Sequence, residues 1–461
     1  MLREWSSPTR VDESGNPLPL LPNELYEEIL SPIRSDGSPQ DKYRVSLTCR
    51  YFCYLMLPHV LNTLTFDRSC SSRRPRGPDC FAYCDALANN KGQARKIAKH
   101  VHRCHFWEHP AIGRLPNEFQ PYMGLLPESF AMALGFMENI TELTFSRCVI
   151  TVELVHVLPQ FKQLKSLAFL HIATFGLYTK EYSILSTLRL SRLSMRMAGL
   201  QFAIDLATAF DYTSLTSLVS WVPASVRALE SAGDWLPLRE LELTMDKCHI
   251  TNSSFRWLRE LRKLSLGSFA EDALNEVVKL QPSDLPNLEE LECTAGQLHI
   301  LAPGRPLTKV TLKLGNQHEN RKCPRTLFKT LSQASRPIEE LTIPVSWFLN
   351  YVGSFDHLLS LQQLTLVDES NDNLEEGEKL LRRICIEFPS FPEVQSIRAI
   401  HQYTYGPPRR IQIQDSDIDK QRQILSTIPS GRGAPFLVIQ LGRIHWSRRI
   451  GVWSADIERN S

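Results

Sequence analysis

ITELTFSRCVIT, residues 140–151, carries the apolar beat that decides the architecture: Ile140-x-x-Leu143-x-Phe145-x-x-Cys148-x-Ile150. A spacing of three and then two fits neither a pure helix nor a pure alternation. Leu143 and Phe145 alternate, as on a short strand with one buried face, and Ile140 anchors the chain as it enters that strand. A second phrase, ELTMDKCHIT at residues 242–251, matches ELTFSRCVIT at six of ten positions.

The same beat returns at Leu164/Leu167/Phe169, Leu185/Leu188/Leu190, Leu238/Leu241/Leu243 and Leu261/Leu264/Leu266. Further copies are Leu288/Leu291/Cys293, Leu307/Val310/Leu312, Ile338/Leu341/Ile343 and Leu361/Leu364/Leu366, with weaker ones at Leu215/Leu218 and Val394/Ile397. Starts lie 19 to 33 residues apart, and three of the gaps are 23. A strand this short does not pair stably alone in water, whereas stacked copies share one continuous core. Between beats, residues 271–280, 325–333 and 374–386 have helical spacing. Strand, turn and helix repeated with one hand of crossover predict an α/β solenoid, a curved parallel sheet with helices outside.

Over residues 140–400 this pattern resembles the leucine-rich repeat, in a degenerate form. The Cys of each phrase, Cys148 and Cys248, stands where that family places a buried Cys or Asn as the chain turns out of the strand. The phrase at 242–251 fits two registers, Leu243/Met245 or Leu241/Leu243, and a shift of two keeps the same face buried in either.

Ahead of the array, residues 18–66 read as two amphipathic helices. Pro22 suits a first helical turn, Glu24, Glu27 and Glu28 complement its positive end, and Leu21, Leu25 and Ile29 form one stripe. The loop SPIRSDGSPQ is expected to break that helix. Ser38-Pro39 restarts a second one with Asp41 in its first turn, and Val45, Cys49, Phe52 and Met56 recur at four, three and four. Two such helices cannot bury their apolar faces alone.

Leu21-Pro22-x-Glu24-Leu25-x-x-x-Ile29-Leu30, followed by Ser46-Leu47-Thr48-Cys49-Arg50-x-Phe52, resembles an F-box, in particular the short form of fungal F-box proteins with leucine-rich-repeat-like tails. The resemblance implies docking on the Skp adaptor of a cullin ubiquitin ligase through Leu21, Pro22, Leu25, Ile29, Leu30, Leu47, Cys49 and Phe52. Where the family has a Leu-Pro linker and a Leu pair opening its second helix, this chain has Ser31-Pro32-Ile33 and a polar loop. Tyr43 and Val45 are expected to supply the missing contacts. The resulting division is a tail at 1–17, the F-box at 18–60, a connecting and N-capping region at 61–139, the array at 140–400 and a capping region at 401–461. In that last stretch PFLVIQLGRI (435–444) reads as a closing strand, with Trp446 and Trp453 covering the open end.

Composition favours no charged partner class: 461 residues, 43% hydrophobic, 22% charged, net charge +2. That balance argues against nucleic acid and a membrane surface as partners. Arg73-Arg74, Arg409-Arg410 and Arg448-Arg449 read as solvated loop positions. The first twenty residues lack the apolar stretch of a secretory signal, and eleven scattered cysteines suit a reducing compartment, so a cytoplasmic or nuclear setting is expected. Cys80, Cys84, His100, His102, Cys104, His105 and His109 are zinc-type residues, but KHVHRCHFW (99–107) also fits a strand with Val101, Cys104 and Phe106 inward, and the paired spacings of a metal site are missing. No phosphate loop, dinucleotide fingerprint or nucleophile motif occurs, so no catalytic, cofactor or metal residues are assigned and no enzyme is expected.

The expected function is a substrate receptor. The F-box joins a Skp adaptor and, through it, a cullin core, and the array holds an unidentified target protein; an adaptor-bound scaffold without a ligase role is the alternative. Strand positions between the apolar beats are expected to face that target: Glu142, Thr144, Arg189, Glu242, Lys263 and Glu292, with Glu240, Glu290, Lys309 and Glu340 beside them. Acidic pairs on two strands favour a basic target surface.

Overall fold

The computed structural model describes residues 23–48, 50–67, 80–89, 94–107, 124–125, 128–174, 182–196, 200–222, 224–232, 235–244, 255, 258–267, 280–281, 283–313, 326–351, 358–368, 375–388, 391–401, 418–428, 436–441, 444–449 and 452–457. The chain divides into two compact units, Met1–Asp211 and Tyr212–Ser461.

The first unit opens with three helices rather than two: α1 (Asn23–Ser35), α2 (Pro39–Ser46) and α3 (Arg50–Val60). Helix α1 runs through Pro32, so the expected break comes later. A proline removes one amide donor, but Asp36 N–H still donates to Pro32 O at 2.9 Å and Gly37 N–H to Ile33 O at 3.1 Å. The helix stops at Gly37, where a Cβ would lie 2.4 Å from Ile33 O. Ser38 then caps α2, its Oγ accepting from Asp41 N–H at 3.2 Å, with Pro39 in the first turn.

The second amphipathic run divides into α2 and α3, and hydroxyls join the backbone amides on the last carbonyls of α2. Ser46 Oγ donates to Tyr43 O at 2.6 Å and Thr48 Oγ1 to Val45 O at 2.8 Å, which closes α2 before α3 begins. The inner faces meet at Tyr26 and Phe52, whose ring centroids are 5.6 Å apart, with Tyr26, Leu30 and Met56 buried.

Behind this module, β1 (Thr63–Asp67), β2 (Arg103–Trp107), β4 (Glu142–Ser146), β6 (Ser166–Leu170) and β8 (Arg192–Arg196) form consecutive parallel pairs. Pairing thus starts at Thr63, inside the stretch read from sequence as a connector. The beat occurs there as Val101/Cys104/Phe106, the strand that KHVHRCHFW fits in sequence, and as Leu61/Leu64/Phe66, forty residues earlier and missed in the connector. Register aligns Phe66, Phe106, Phe145 and Phe169, whose rings stack at 4.7, 5.3 and 5.8 Å. Burying each such side chain contributes roughly 1.5–3 kcal/mol, and each aromatic pair about 0.5–1.5 kcal/mol more. A small second parallel sheet, β3 (Gly124–Leu125), β5 (Cys148–Ile150) and β7 (Ala173–Thr174), follows the corners, with Cys148 buried as expected, while Cys248 lies outside the described residues.

One repeat is corrected. The strand of the third copy is β8, with Leu193 and Met195 inward, so its beat is Leu190/Leu193/Met195 rather than Leu185/Leu188/Leu190. Leu185 belongs to a short 3-10 turn, Ser183–Thr187, and Arg189 is an exposed residue ahead of the strand, not on it. The correction turns uneven starts of 164, 185 and 215 into 164, 190 and 215, gaps of 26 and 25.

The second unit continues with β9 (Ser217–Ser220), β10 (Glu240–Leu243), β11 (Lys263–Leu266), β12 (Glu290–Thr294), β13 (Lys309–Lys313), β14 (Glu340–Pro344), β15 (Gln363–Asp368), β16 (Ser396–His401) and β17 (Phe436–Leu441), each parallel to its neighbour. β18 (Ile444–Arg449) and β19 (Val452–Ile457) then turn antiparallel. Trp446 is fully buried with its indole N–H donating to Gln421 Oε1 at 3.0 Å, and Trp453 is buried beside it on the hairpin.

Both units share a device at the start of most strands. One carbonyl accepts two successive amides of the next repeat: Arg262 O from Glu289 and Glu290 N–H at 2.9 and 2.8 Å, Glu289 O from Thr308 and Lys309 N–H at 2.9 and 3.1 Å. Inner positions of the strands are buried, and helices pack on that side. Glu375–Glu387 coincides with the helix expected at 374–386, and Leu327–Leu331 with the core of 325–333. The helix expected over 271–280 lies almost wholly outside the described residues.

Candidate binding surfaces

On α1, the i, i+4 pair Leu25 and Ile29 faces outward, 41% and 62% exposed, while Tyr26 and Leu30 turn inward. Leu47, at the end of α2, is 66% exposed. The structure therefore sorts the residues implied by the resemblance. Leu25, Ile29 and Leu47 are on the surface, and Leu30 is in the module's core. Phe52 is half-buried against Tyr26. Leu21, Pro22 and Cys49 lie outside the described residues.

Tyr43 is exposed and Val45 half-buried, and Tyr54 is exposed on α3. The 4-3-4 spacing through Phe52 and Met56 marks the inner stripe, so Tyr54 was recognisable only by lying off it. The module is held by packing and by one polar bond across its helices, Arg34 Nε donating to His59 Nε2 at 2.9 Å. Burial, with the charges of Arg34 and Lys42, holds His59 below its ordinary pKa, in the neutral form that accepts this bond.

On the strands, the positions between the beats are the solvent face, but their charges are engaged with one another. In register, Glu240, Lys263, Glu290, Lys309 and Glu340 alternate in sign across five adjacent strands of the second unit. Lys263 reaches Glu290 at 3.6 Å and Lys309 reaches Glu340 at 2.8 Å. The hydrogen bond to Glu340 raises the pKa of Lys309, burial opposes it, and the fields of Glu340 and Glu290 add to the rise. Lys313 pairs with Glu292, and Ser217 Oγ donates to Glu240 Oε2 at 3.0 Å. In the first unit Arg103 pairs with Glu142 at 3.3 Å.

Exposed pairs of this kind contribute about 0–1 kcal/mol each. Their effect is on the character of the face, since both acids of β12 are matched by cations of the adjacent strands. Beyond β12, the row of Glu292 continues uncharged through Thr311, Thr342 and Thr365 on β13, β14 and β15. Of the other positions expected to meet a target, Thr144 and Glu242 are half-buried on their strands, while Arg189 is off the strand row altogether.

The described zinc-type residues do not converge. Cys84 and Cys104 are buried in the apolar core, and His102 Nδ1 lies 2.9 Å from the carbonyl of His100. His109 lies outside the described residues, as does the side chain of Cys80. Among the described residues no group of three or more His, Cys, Asp or Glu side chains is arranged to hold a metal. Nor is any described helix long and apolar enough to cross a membrane.

The chain matches no family model and no curated relative. Among solved structures it is similar to a chain in the crystal structure of the Rad7 and Elc1 complex in yeast, at 11% identity and a TM-score of 0.39, covering 85% of this chain and 96% of that one. It is also similar to a leucine-rich-repeat protein of Leptospira interrogans (14% identity, TM-score 0.28, 76% and 92% covered). A third is an internalin from Listeria monocytogenes (10% identity, TM-score 0.31, 68% and 78% covered).

Proposed function

We propose that this chain is the substrate receptor of a Skp–cullin–F-box ubiquitin ligase, in which the helical module docks the Skp adaptor and the strand face of the repeats binds a target protein. The observation that carries the reading is the two-sidedness of α1. Tyr26 and Leu30 complete the module's own core, while Leu25 and Ile29, one turn apart, leave an apolar stripe on the surface, with Leu47 exposed at the end of α2. Exposed large apolar side chains on neighbouring helices indicate a protein partner. Leu25, Ile29 and Leu47 are the docking residues of this proposal, with Tyr43 and Tyr54 added, and Leu21, Pro22 and Cys49 carried by the resemblance alone.

The receptor performs no covalent chemistry itself. It contributes proximity, holding a target lysine near a conjugating enzyme borne elsewhere in the complex. The target-facing positions of this proposal are Glu142 and Thr144 on the strands of the first unit, and Glu242, Lys263 and Glu292 on those of the second. Because cations pair with several of these acids, the target need not be basic, and the threonine row offers hydrogen bonds without a charge preference.

The experiment is co-purification of the full chain with a Skp adaptor and cullin, and measurement of the abundance of captured proteins in cells. Replacing Leu25 and Ile29 by Ala is expected to abolish adaptor recovery and to make captured targets accumulate. Adaptor binding without any such accumulation would favour the scaffold reading. A full-length, folded chain that ignores the adaptor would end both.

A further inference from the structure

With two exceptions, the described charges on the solvent face of the second unit's strands are engaged. Lys263 meets Glu290, Lys309 meets Glu340 and Lys313 meets Glu292, a serine hydroxyl serves Glu240, and Glu242 has interactions of its own. The exceptions are Arg398 on β16 and Asp456 on β19. Both are exposed, and neither forms an ion pair or a hydrogen bond among the described residues.

These two charges share one row. Register sets Thr365 beside Arg398, Arg398 beside Gln440, Gln440 beside His445 and His445 beside Asp456. The uncharged row of Thr311, Thr342 and Thr365 therefore runs on into a lone cation, crosses the half-buried Gln440 and His445, and ends on a lone acid. On the same face, Ser396 and Ile400 flank Arg398 along its strand and Ser454 precedes Asp456, none of them charged. With strands about 4.8 Å apart, three spacings separate the guanidinium position from the carboxylate position by roughly 14 Å. The two side chains are too short to bridge that gap, which also exceeds the screening length of about 8 Å at physiological salt.

We propose that a segment of the target lies extended across β16 to β19, with an acidic side chain on Arg398 and a basic one, four residues away, on Asp456. The inference rests on the strand face being the target-binding surface. The spacing selects the conformation. An extended chain advances about 3.3 Å per residue and returns to the same side at every second one, so residues four apart lie about 13 Å apart and face the sheet together. A helix rising about 1.5 Å per residue covers that distance in about nine residues, and at 3.6 per turn the second side chain then points to the opposite side. A single guanidinium fork matches a single carboxylate, so an unmodified Asp or Glu satisfies Arg398. A nucleic acid, drawn to Arg398, would be repelled at Asp456.

The test is retention of the purified full chain on beads carrying peptides of uncharged residues with one Glu and one Lys four residues apart, in either order. Comparison beads carry the same residues with the charges three apart, which points them to opposite sides, and peptides with Lys at both positions. The expected result is at least fivefold more retention at the four-residue spacing, falling at least fivefold in Arg398→Gln with Asp456→Asn. Arg398→Glu is expected to exchange the preference, holding the Lys–Lys peptides better than the Glu–Lys ones, a change that lost folding cannot produce. Equal retention at both spacings, retention of none of the peptides, or a preference unchanged by Arg398→Glu would overturn the proposal. So would self-association, seen by light scattering and abolished in Arg398→Gln with Asp456→Asn, which would give this face to a second copy. Leu25→Ala with Ile29→Ala is expected to lose the adaptor and keep peptide binding. A wild type that selects these peptides but binds no adaptor would sink the ligase reading and leave this site standing.

Discussion

Arg34 Nε donates to His59 Nε2 across 2.9 Å, and this bond joins the last turn of α1 to the last turn of α3. It needs the imidazole neutral. Burial and the neighbouring cations keep His59 below its ordinary value of 6.5 in the folded chain. The unfolded chain therefore takes up a proton first as pH falls, and the stability that His59 contributes is complete above about 6.5 and is lost progressively below it. His105 and His171 are depressed in the same direction, chiefly by burial, and add to the same acid sensitivity. Urea midpoints measured between pH 7 and pH 5 are expected to fall for the wild type and to fall less for His59→Gln, whose amide oxygen accepts from Arg34 without titrating. Parallel losses in the two proteins would refute this role for His59.

The opposite faces of α1 give a second prediction, in which binding and stability separate. Leu25→Ala with Ile29→Ala removes exposed side chains, so thermal stability should move by no more than about 0.5 kcal/mol while adaptor recovery disappears. Leu30→Ala empties a buried position and should destabilise the module by about 2–5 kcal/mol. Circular dichroism melting and adaptor pull-down on the same three proteins check both statements. If Leu25→Ala with Ile29→Ala melts as badly as Leu30→Ala, the outer stripe is structural rather than a docking surface.

How much of this was legible beforehand depends on which physical signal a residue carried. The beat named most strands correctly because burial of alternate positions leaves a direct mark on sequence. The third copy failed because Leu185, Leu188 and Leu190 satisfy the same spacing while serving a 3-10 turn and its exit. Only pairing with β6 reveals that Leu193 and Met195 fill the core. The two quoted phrases illustrate the same point. Glu142 and Glu240 hold the equivalent first position of β4 and β10, so ELTFSRC and ELTMDKC are literal copies two residues out of structural phase, and the Leu241/Leu243 register is the one adopted. On α1, amphipathic spacing marked Leu25 and Ile29 without saying which face was inward, because Tyr26 and Leu30 make a competing stripe. The charge alternation from Glu240 to Glu340 was unreadable, since these residues lie 19 to 31 positions apart and become neighbours only through the register.

That alternation yields a third prediction. Lys309 stands between Glu290 and Glu340 in register and lies 2.8 Å from the latter. Lys309→Glu would align three like charges, and Glu340→Lys would set two lysines side by side. Each single change should cost up to about 1 kcal/mol in dilute buffer, and the double exchange should recover part of it, a coupling of about 0.5–1 kcal/mol. Raising the salt to about 1 M shortens the screening length to about 3 Å and should erase most of the coupling. A double-mutant cycle by urea unfolding at both ionic strengths measures it, and a coupling indifferent to salt would show that packing, not charge, links the two residues.

The last prediction concerns Arg305, whose side chain is fully buried in the second unit and serves backbone rather than an acid. Its Nη2 donates to Gln281 O at 3.0 Å, and its Nη1 to Pro303 O at 2.7 Å and to Ile300 O at 3.3 Å. Its own backbone is tied onward, with Ser335 N–H donating to Arg305 O at 2.8 Å and, one residue earlier, Gly304 N–H to Gln333 O at 2.8 Å. The guanidinium thus fastens two successive repeats at their turns, and the backbone of residues 304–305 ties in the third. Arg305→Met keeps most of the volume and strands the carbonyls, each costing about 1–3 kcal/mol if left without a donor. Arg305→Lys keeps the charge but replaces the planar fork by a single ammonium, which cannot span both sides at once. The urea midpoint should therefore fall in the order wild type, Arg305→Lys, Arg305→Met, and amide exchange should quicken first around 281 and 300–305. Stability equal to the wild type in Arg305→Met would mean that water reaches these carbonyls, and the fastening role would be lost.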